Sequence, residues 1–263
     1  MNYHGEQNIR DYIQNNLNVV NNYVQQPFIW NNFINGHNHF WNDSLKYAHF
    51  NNAINQLPPS LDRDTVSNLF KQDLYLGFIA MLMWGGYGAN VNTIQHLPTI
   101  AQIPPEDVVK KICNLKTLLE QNNLLQAYQS LLYKRSNYIK GMSLSFFTKL
   151  LFFLGEDNNT PFPLIYDNFL QRAHLAFLIA DNNVDDYFKI DKQKRNFRFL
   201  HANGWDCYND YLAKINTFPG IKDARNLEAA LFGHNNDNSR NNPRTVINHF
   251  IDIYFNNLNN NQL

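Results

Sequence analysis

The sequence predicts an all-α protein, and three observations carry that prediction. Apolar residues recur at i, i+3/i+4 and i+7 along most of the chain. Two-residue alternation of the strand type is nearly absent. Residues that start helices (Pro, Asp and Thr) stand just ahead of the periodic runs.

The elements follow in order. Val66, Leu69, Phe70, Asp73, Leu74, Gly77 and Phe78 read as one continuous helical rhythm, with Asp62, Asp64 or Thr65 as its cap. The apolar stretch Leu74–Gly88 closes on Met83-Trp84-Gly85-Gly86-Tyr87-Gly88. Pro104-Pro105-Glu106-Asp107 puts proline and acid into the first turn of a helix carrying Val108, Ile112, Leu115, Leu118 and Leu119. Leu124, Leu125, Tyr128, Leu131, Leu132 and Tyr133 form the next, expected to end near Asn137. A tight turn, Ile139-Lys140-Gly141-Met142-Ser143, leads into an apolar helix, Leu144–Leu154. The polar loop Gly155–Thr160 and the run Pro161-Phe162-Pro163-Leu164-Ile165-Tyr166-Asp167 lead to another helix from Asn168. Gly233–Arg244 reads as a polar linker, and residues 256–263 as a disordered Asn-rich tail. The total is about ten helices with short connections.

Composition narrows the function. The 263 residues suit one large domain or two small ones. Lys+Arg and Asp+Glu both number 22, so a strongly basic, sequence-blind nucleic-acid coat is excluded and a polyanion would have to meet a local patch. Two cysteines exclude a disulfide framework, a four-Cys zinc site and a four-Cys iron–sulfur cluster. The apolar stretches are shorter than a bilayer span, and the first ten residues have no apolar run of the signal-peptide type. A cytoplasmic protein is expected. NGHNHFW, with His37 and His39, has no acidic or cysteine partner at ligand spacing, so no metal and no cofactor are expected.

Three features suggest function. Helix, glycine turn, helix at 139–143 aims free first-turn N–H groups at a phosphate, and an ordinary helix connection has the same outline. Asp167 stands 26 residues after Gly141 at the start of a helix. It reads as an N-cap, or as a carboxylate aimed into a cleft to stabilise a cationic sugar or activate water. Lys189, Lys192, Lys194, Arg195 and Arg198, interleaved with Phe188, Phe197 and Phe199, supply a basic patch; Lys134, Arg135 and Lys140 flank the turn.

The run GMSLSFFTKLLFFL…PFPLIYDNFLQRAH resembles the helix-hairpin-helix and Gly/Pro-rich loop with aspartate of the DNA glycosylase superfamily, nearest to its bacterial 8-oxoguanine-DNA-glycosylase-like (OGG-fold) branch. The Met83–Gly88 segment and the stretch from Trp205 to Phe232 fit the same branch, so the similarity touches most of 66–232. The resemblance implies a two-lobed helical enzyme with its active site in the cleft between lobes. The lobes would be 1–94 plus 181–263, and 95–180 carrying the hairpin and the aspartate. It implies a monomer acting on double-stranded DNA, with one modified nucleotide flipped into a pocket. Asp167 would be the catalytic carboxylate. Lys140, Gly141, Met142, Ser143 and Ser145, with Lys194, Arg195 and Arg198, would bind DNA. Trp84, Tyr87 and Asn90 would form the base pocket.

Two departures sharpen this expectation. The second hairpin glycine is replaced by Ser143. The position four residues after the first glycine, a nucleophilic lysine in bifunctional members, is Ser145, which cannot form a Schiff base. Lys149, one turn further on, is the candidate substitute; a monofunctional enzyme is the favoured reading. The substrate would be an oxidised purine or a hypermodified cytosine of phage DNA, the latter implying anti-phage defence. The alternatives are a non-catalytic DNA-lesion-binding helical module and a helical protein-interaction domain.

Overall fold

The structure, a computed structural model, describes residues 8–25, 27–31, 38–88, 91–191, 194, 196–200, 204–233 and 243–260. It begins with helices α1 (Ile9–Asn15) and α2 (Leu17–Asn21), strand β1 (Phe28–Ile29), α3 (Asn38–Leu45), α4 (Ala48–Gln56) and strand β2 (Ser60–Leu61). Next come α5 (Arg63–Gln72), α6 (Leu74–Trp84), α7 (Val91–Ile94), α8 (Leu97–Ala101), α9 (Pro105–Glu120), α10 (Leu124–Leu131) and α11 (Leu144–Leu154). The chain continues with α12 (Asn168–Asp181), strands β3 (Phe188–Asp191) and β4 (Asn196–Phe199), α13 (Gly204–Asn216), α14 (Ala224–Phe232) and α15 (Pro243–Asn260). The all-α expectation stands: among the described residues, the strands form two short antiparallel pairs, β1–β2 and β3–β4.

The chain divides into two compact units, Gln26–Ile165 and Met1–Gln25 with Tyr166–Leu263. These divisions fall elsewhere than the 94/95 and 180/181 expected. The reason is α12, which packs on α1, α14 and α15 and so joins the chain ends rather than the hairpin that precedes it.

In the unit 26–165, α6 is apolar on every side and buried from Gly77 to Trp84, as a central helix must be. It packs against α4, α5, α9 and α11. The rhythm read as one helix over 66–78 is broken at Asp73. Its backbone is extended and its side chain accepts from the Leu76 N–H at 2.8 Å, capping α6. An aspartate favours this local bond over a helix interior. Asp62 caps α5 in the same way, through the Thr65 N–H, and that bonding holds its pKa below the ordinary value. Pro105 opens α9 as expected.

α10 ends at Leu131, not near Asn137. Buried Asn137 draws the following chain back: its N–H donates to the Ser130 carbonyl and its side chain to Ser130 Oγ, and Asn114 donates to it in turn. Leu132 and Tyr133, read as part of this helix, lie beyond its end and are exposed.

In the other unit, α12 is the central helix. The tail expected to be disordered is helical to Asn260. Val246, Ile247, Phe250, Ile251 and Phe255 are buried at helical spacing, and that apolar face holds α15 in place despite its asparagines. Pro243 and Arg244 belong to this helix rather than to the linker; 234–242 lie outside the described residues.

Candidate functional site

The hairpin of the unit 26–165 is a turn in which the Met142 N–H donates to the Ile139 carbonyl at 3.2 Å. Gly141 occupies the third position with φ +98°, the left-handed backbone such a turn requires. A Cβ there would also meet Ile100 Cγ1 at 3.1 Å, a tight contact that adds to the demand φ makes for glycine. Tyr87 holds the turn from behind, its hydroxyl donating to the Gly141 carbonyl at 2.7 Å. Its ring is fully buried, packed edge-on against Phe146. Lys140 and Ser143 are exposed, Ser145 is half-buried and Met142 is buried. Ser143 is the residue before α11, and its side chain makes no capping bond to the first turn. The hairpin thus presents a helix start with an exposed cation beside it.

Lys149 is 3% exposed. Its Nζ donates to Ser145 Oγ at 3.3 Å and lies 5.3 Å from the Phe146 ring centre. The candidate substitute nucleophile is thus a buried residue. The Trp84–Gly88 turn lies directly against these side chains: a Cβ on Gly85 would come within 2.7 Å of Phe146 and 3.1 Å of Lys149. Trp84 is nearly buried, edge-on to Phe153, with the Arg63 guanidinium 5.6 Å from its ring centre. The structure therefore brings Trp84, Tyr87, Ser145, Lys149 and Gly141 into one neighbourhood. Asn90 lies outside the described residues.

In the other unit, Asp167 is the N-cap of α12. Its Oδ1 accepts from the N–H groups of Phe169 at 3.1 Å and Leu170 at 3.3 Å. Only 7% of the residue is exposed, so the carboxylate is fixed by first-turn donors at the positive end of the helix. Of the two readings of Asp167, the cap is the one these bonds show. Arg244, unnoticed in the sequence, stacks on Phe169 and Phe232, 3.7 and 4.5 Å from their ring centres, and its Nε donates to the Phe232 carbonyl. Burial lowers the Arg244 pKa, and the negative charge of Asp167 opposes that shift. A cation thus stands in the electrostatic surroundings of the carboxylate, brought there by a helix 77 positions further along.

Behind Asp167 runs a polar chain. Tyr166 is fully buried; its hydroxyl is 2.7 Å from His174 Nδ1 and 3.1 Å from Cys207 Sγ. His174 Nε2 is 2.7 Å from Asp210 Oδ2. Lys214 reaches Asp210 at 3.4 Å and Asp181 at 2.7 Å, and Arg10 forks onto Asp181 at 2.8 and 2.9 Å. Burial lowers the His174 pKa and raises that of the Cys207 thiol to about 12. Burial alone would raise Asp210 and Asp181. The His174 bond and charge at Asp210, and the Arg10 and Lys214 bonds at Asp181, outweigh it and hold both below the ordinary value. A carboxylate only accepts, so His174 carries its proton on Nε2 and its Nδ1 accepts from the Tyr166 O–H. Cys207 S–H then donates to the Tyr166 oxygen.

Lys189, Lys194 and Arg198 of the basic patch lie on the β3–β4 ribbon and its turn. Phe188 pairs with Phe199, Ile190 with Phe197, and Lys189 with Arg198. The two-residue alternation is present but only four residues long per strand. Phe188 is buried edge-on to His174, whereas Lys189 and Arg198 are exposed directly opposite one another. Like charges so paired repel unless an anion lies across them. Exposed Lys194, at the turn, is 3.9 Å from Asp191. Lys192 and Arg195 lie outside the described residues, as do His37 and residues 35–36 of the NGHNHFW stretch. Among the described residues, no group of three His, Cys, Asp or Glu could hold a metal ion, and no helix is long and apolar enough to cross a membrane.

A mainly helical chain with a glycine-hairpin helix start and, 26 residues later, an aspartate-capped helix has the elements of the helix-hairpin-helix DNA glycosylases. The chain matches over residues 29–232 the family described as "Putative 8-oxoguanine DNA glycosylase OGG-like protein", and it belongs to that family. No curated protein and no solved structure matches it.

Proposed function

We propose that the chain is a DNA N-glycosylase that acts as a monomer on double-stranded DNA carrying a modified base. The observation that carries this reading is the carboxylate of Asp167, nearly buried and held by two N–H groups at the start of α12, in a member of a DNA glycosylase family. In this reading a nucleotide is flipped out of the stack, and Trp84, Tyr87 and Asn90 receive its base. As the bond from C1′ to the base lengthens, positive charge grows on the sugar, and the Asp167 carboxylate stabilises it. The base departs with the bonding electron pair, a water oxygen bonds to C1′, and the proton that this water gives up ends on the departed base, leaving an abasic site.

DNA is held in this reading by the hairpin and by the ribbon. The first-turn N–H groups of α11, with Lys140, Gly141, Met142, Ser143 and Ser145 around them, take a phosphate. Lys194, Arg195 and Arg198 take others, and the Lys189–Arg198 pair on one face of the ribbon supports that role. Strand cleavage through a Schiff base is not part of the proposal: Ser145 stands where the nucleophile would be, and Lys149 is buried with its amine bonded to that serine. The substrate is an oxidised purine or a hypermodified cytosine of phage DNA.

The test is abasic-site formation by wild type and Asp167→Asn. The panel contains 8-oxoguanine duplex, alkylated duplex, and phage DNA with ordinary or hypermodified cytosine. Aldehyde-reactive sites made by wild type alone are expected, and the responding DNA identifies the substrate. DNA binding without base release from any of them would replace the enzyme with a lesion-binding module.

A further inference from the structure

We infer that Tyr166, His174 and Asp210 are positioning residues for the Asp167 carboxylate; this inference rests on the function proposed above. Asp167 follows Tyr166 directly, so wherever the phenol is pinned, the chain enters α12 from a fixed direction. The pinning comes from two helices at once. His174, two turns along α12, accepts the phenol proton at 2.7 Å, and Cys207 on α13 lies 3.1 Å from the same oxygen. Asp210, one turn beyond Cys207, holds the other ring nitrogen of His174 at 2.7 Å and so fixes both its tautomer and its ring orientation. The chain is polarised in one direction, from Cys207 through Tyr166 and His174 to an Asp210 that Lys214 also faces. His174 and Tyr166 are fully buried, so no water competes for these bonds.

A packing role alone does not require this chemistry. The Tyr166 ring already lies against Tyr208 and Tyr211, 5.7 and 4.9 Å between centres, and phenylalanine would keep those contacts. The hydroxyl adds a directional tie between the residue before the cap and the body of its own helix. The carboxylate it orients accepts at Oδ1 from the first-turn amides, through bonds of 3.1 and 3.3 Å. Loosening the tie frees the carboxylate to turn, and misplacement of a reacting group by about 1 Å costs on the order of 100-fold in rate.

The experiment compares wild type, Tyr166→Phe, Asp210→Asn and Asp210→Ala in the full chain. It reads single-turnover base release from the responding DNA of the panel, affinity for a duplex carrying a tetrahydrofuran abasic-site analogue, and amide hydrogen exchange at Phe169 and Leu170. Tyr166→Phe is expected to slow release about 10- to 100-fold, leave affinity within about twofold, and speed exchange at those two amides more than elsewhere in α12. Asp210→Asn keeps an oxygen that accepts from His174, so it stays within about threefold of wild type, while Asp210→Ala follows Tyr166→Phe. Unchanged release and exchange in Tyr166→Phe overturns the inference, as does Asp210→Asn as slow as Asp210→Ala. If Tyr166→Phe does not fold, the two Asp210 variants decide. Wild type without base release overturns the proposed function instead, and the exchange at Phe169 and Leu170 still reports whether the tie exists.

Discussion

Two helix beginnings, α11 after Ser143 and α12 after Asp167, start from the same physics and end in opposite states. Each has first-turn N–H groups with no partner inside the helix. At α12 those groups bond the side chain of Asp167, so the helix end has become a fixed negative charge. At α11 the cap side chain makes no such bond, a glycine at φ +98° brings the backbone forward, and Lys140 stands exposed beside it. One start carries its own anion, and the other, in the proposed function, receives a phosphate. The difference teaches that a helix N-terminus acquires its function from the residue before it.

The comparison breaks most severely at Asp167. Asp167→Asn keeps a good capping side chain but removes the charge. Base release is expected to fall by about 10²- to 10³-fold or more, with thermal stability and DNA affinity near those of wild type. Equal activity in that variant would sink the assignment. Gly141→Ala strikes the other start. It forces a Cβ into the left-handed region and against Ile100, so a loss of about 1–3 kcal/mol in urea unfolding is expected, with weaker DNA binding. An unchanged urea midpoint would show that the turn relaxes freely.

Acid separates the two regions by stability. His174 is held neutral, below its ordinary 6.5, and Asp181 and Asp210 are held below 3.8. In each case the unfolded chain binds protons first as pH falls, so the contribution is complete above about pH 6.5 and declines below it. The decline begins with His174 and deepens as the two carboxylates titrate. Urea midpoints measured between pH 7.5 and 3 are expected to fall in that order, and His174→Gln is expected to flatten the first part of the decline. The smallest effect sharpens the comparison most directly. Ser143→Asp gives α11 the kind of cap α12 has, adding a few tenths to about 1 kcal/mol of stability while repelling phosphate. A higher melting temperature together with weaker DNA binding is expected, and stronger binding would contradict the phosphate role of the hairpin.

Much of this was legible in the sequence for local reasons. Leu144–Leu154 and the helix from Asn168 follow from uninterrupted apolar spacing bounded by Ser143, Gly155 and Asp167. Pro105 and Asp62 mark starts because their chemistry acts within one turn. Asp73 misled because its apolar neighbours keep the period on both sides while its side chain stops the helix. Leu132 and Tyr133 misled because Asn137 and Ser130 redirect the chain by bonds that the periodicity does not contain. Lys149 shares a face with Ser145, as its spacing says, but burial decides its character.

By itself the sequence determined the helical class, the glycine turn, the aspartate at a helix start and the absence of a lysine at Ser145. Each of these depends on residues within a turn or two of one another. Only the tertiary structure decided that Tyr87 supports Gly141 across 54 positions and that Arg244 stands near Asp167. It alone tied Tyr166 to Cys207 and His174 to Asp210. Burial, tautomer and charge pairing depend on neighbours distant in the chain, and those neighbours are chosen by how the apolar faces of α6 and α12 are covered rather than by any local pattern.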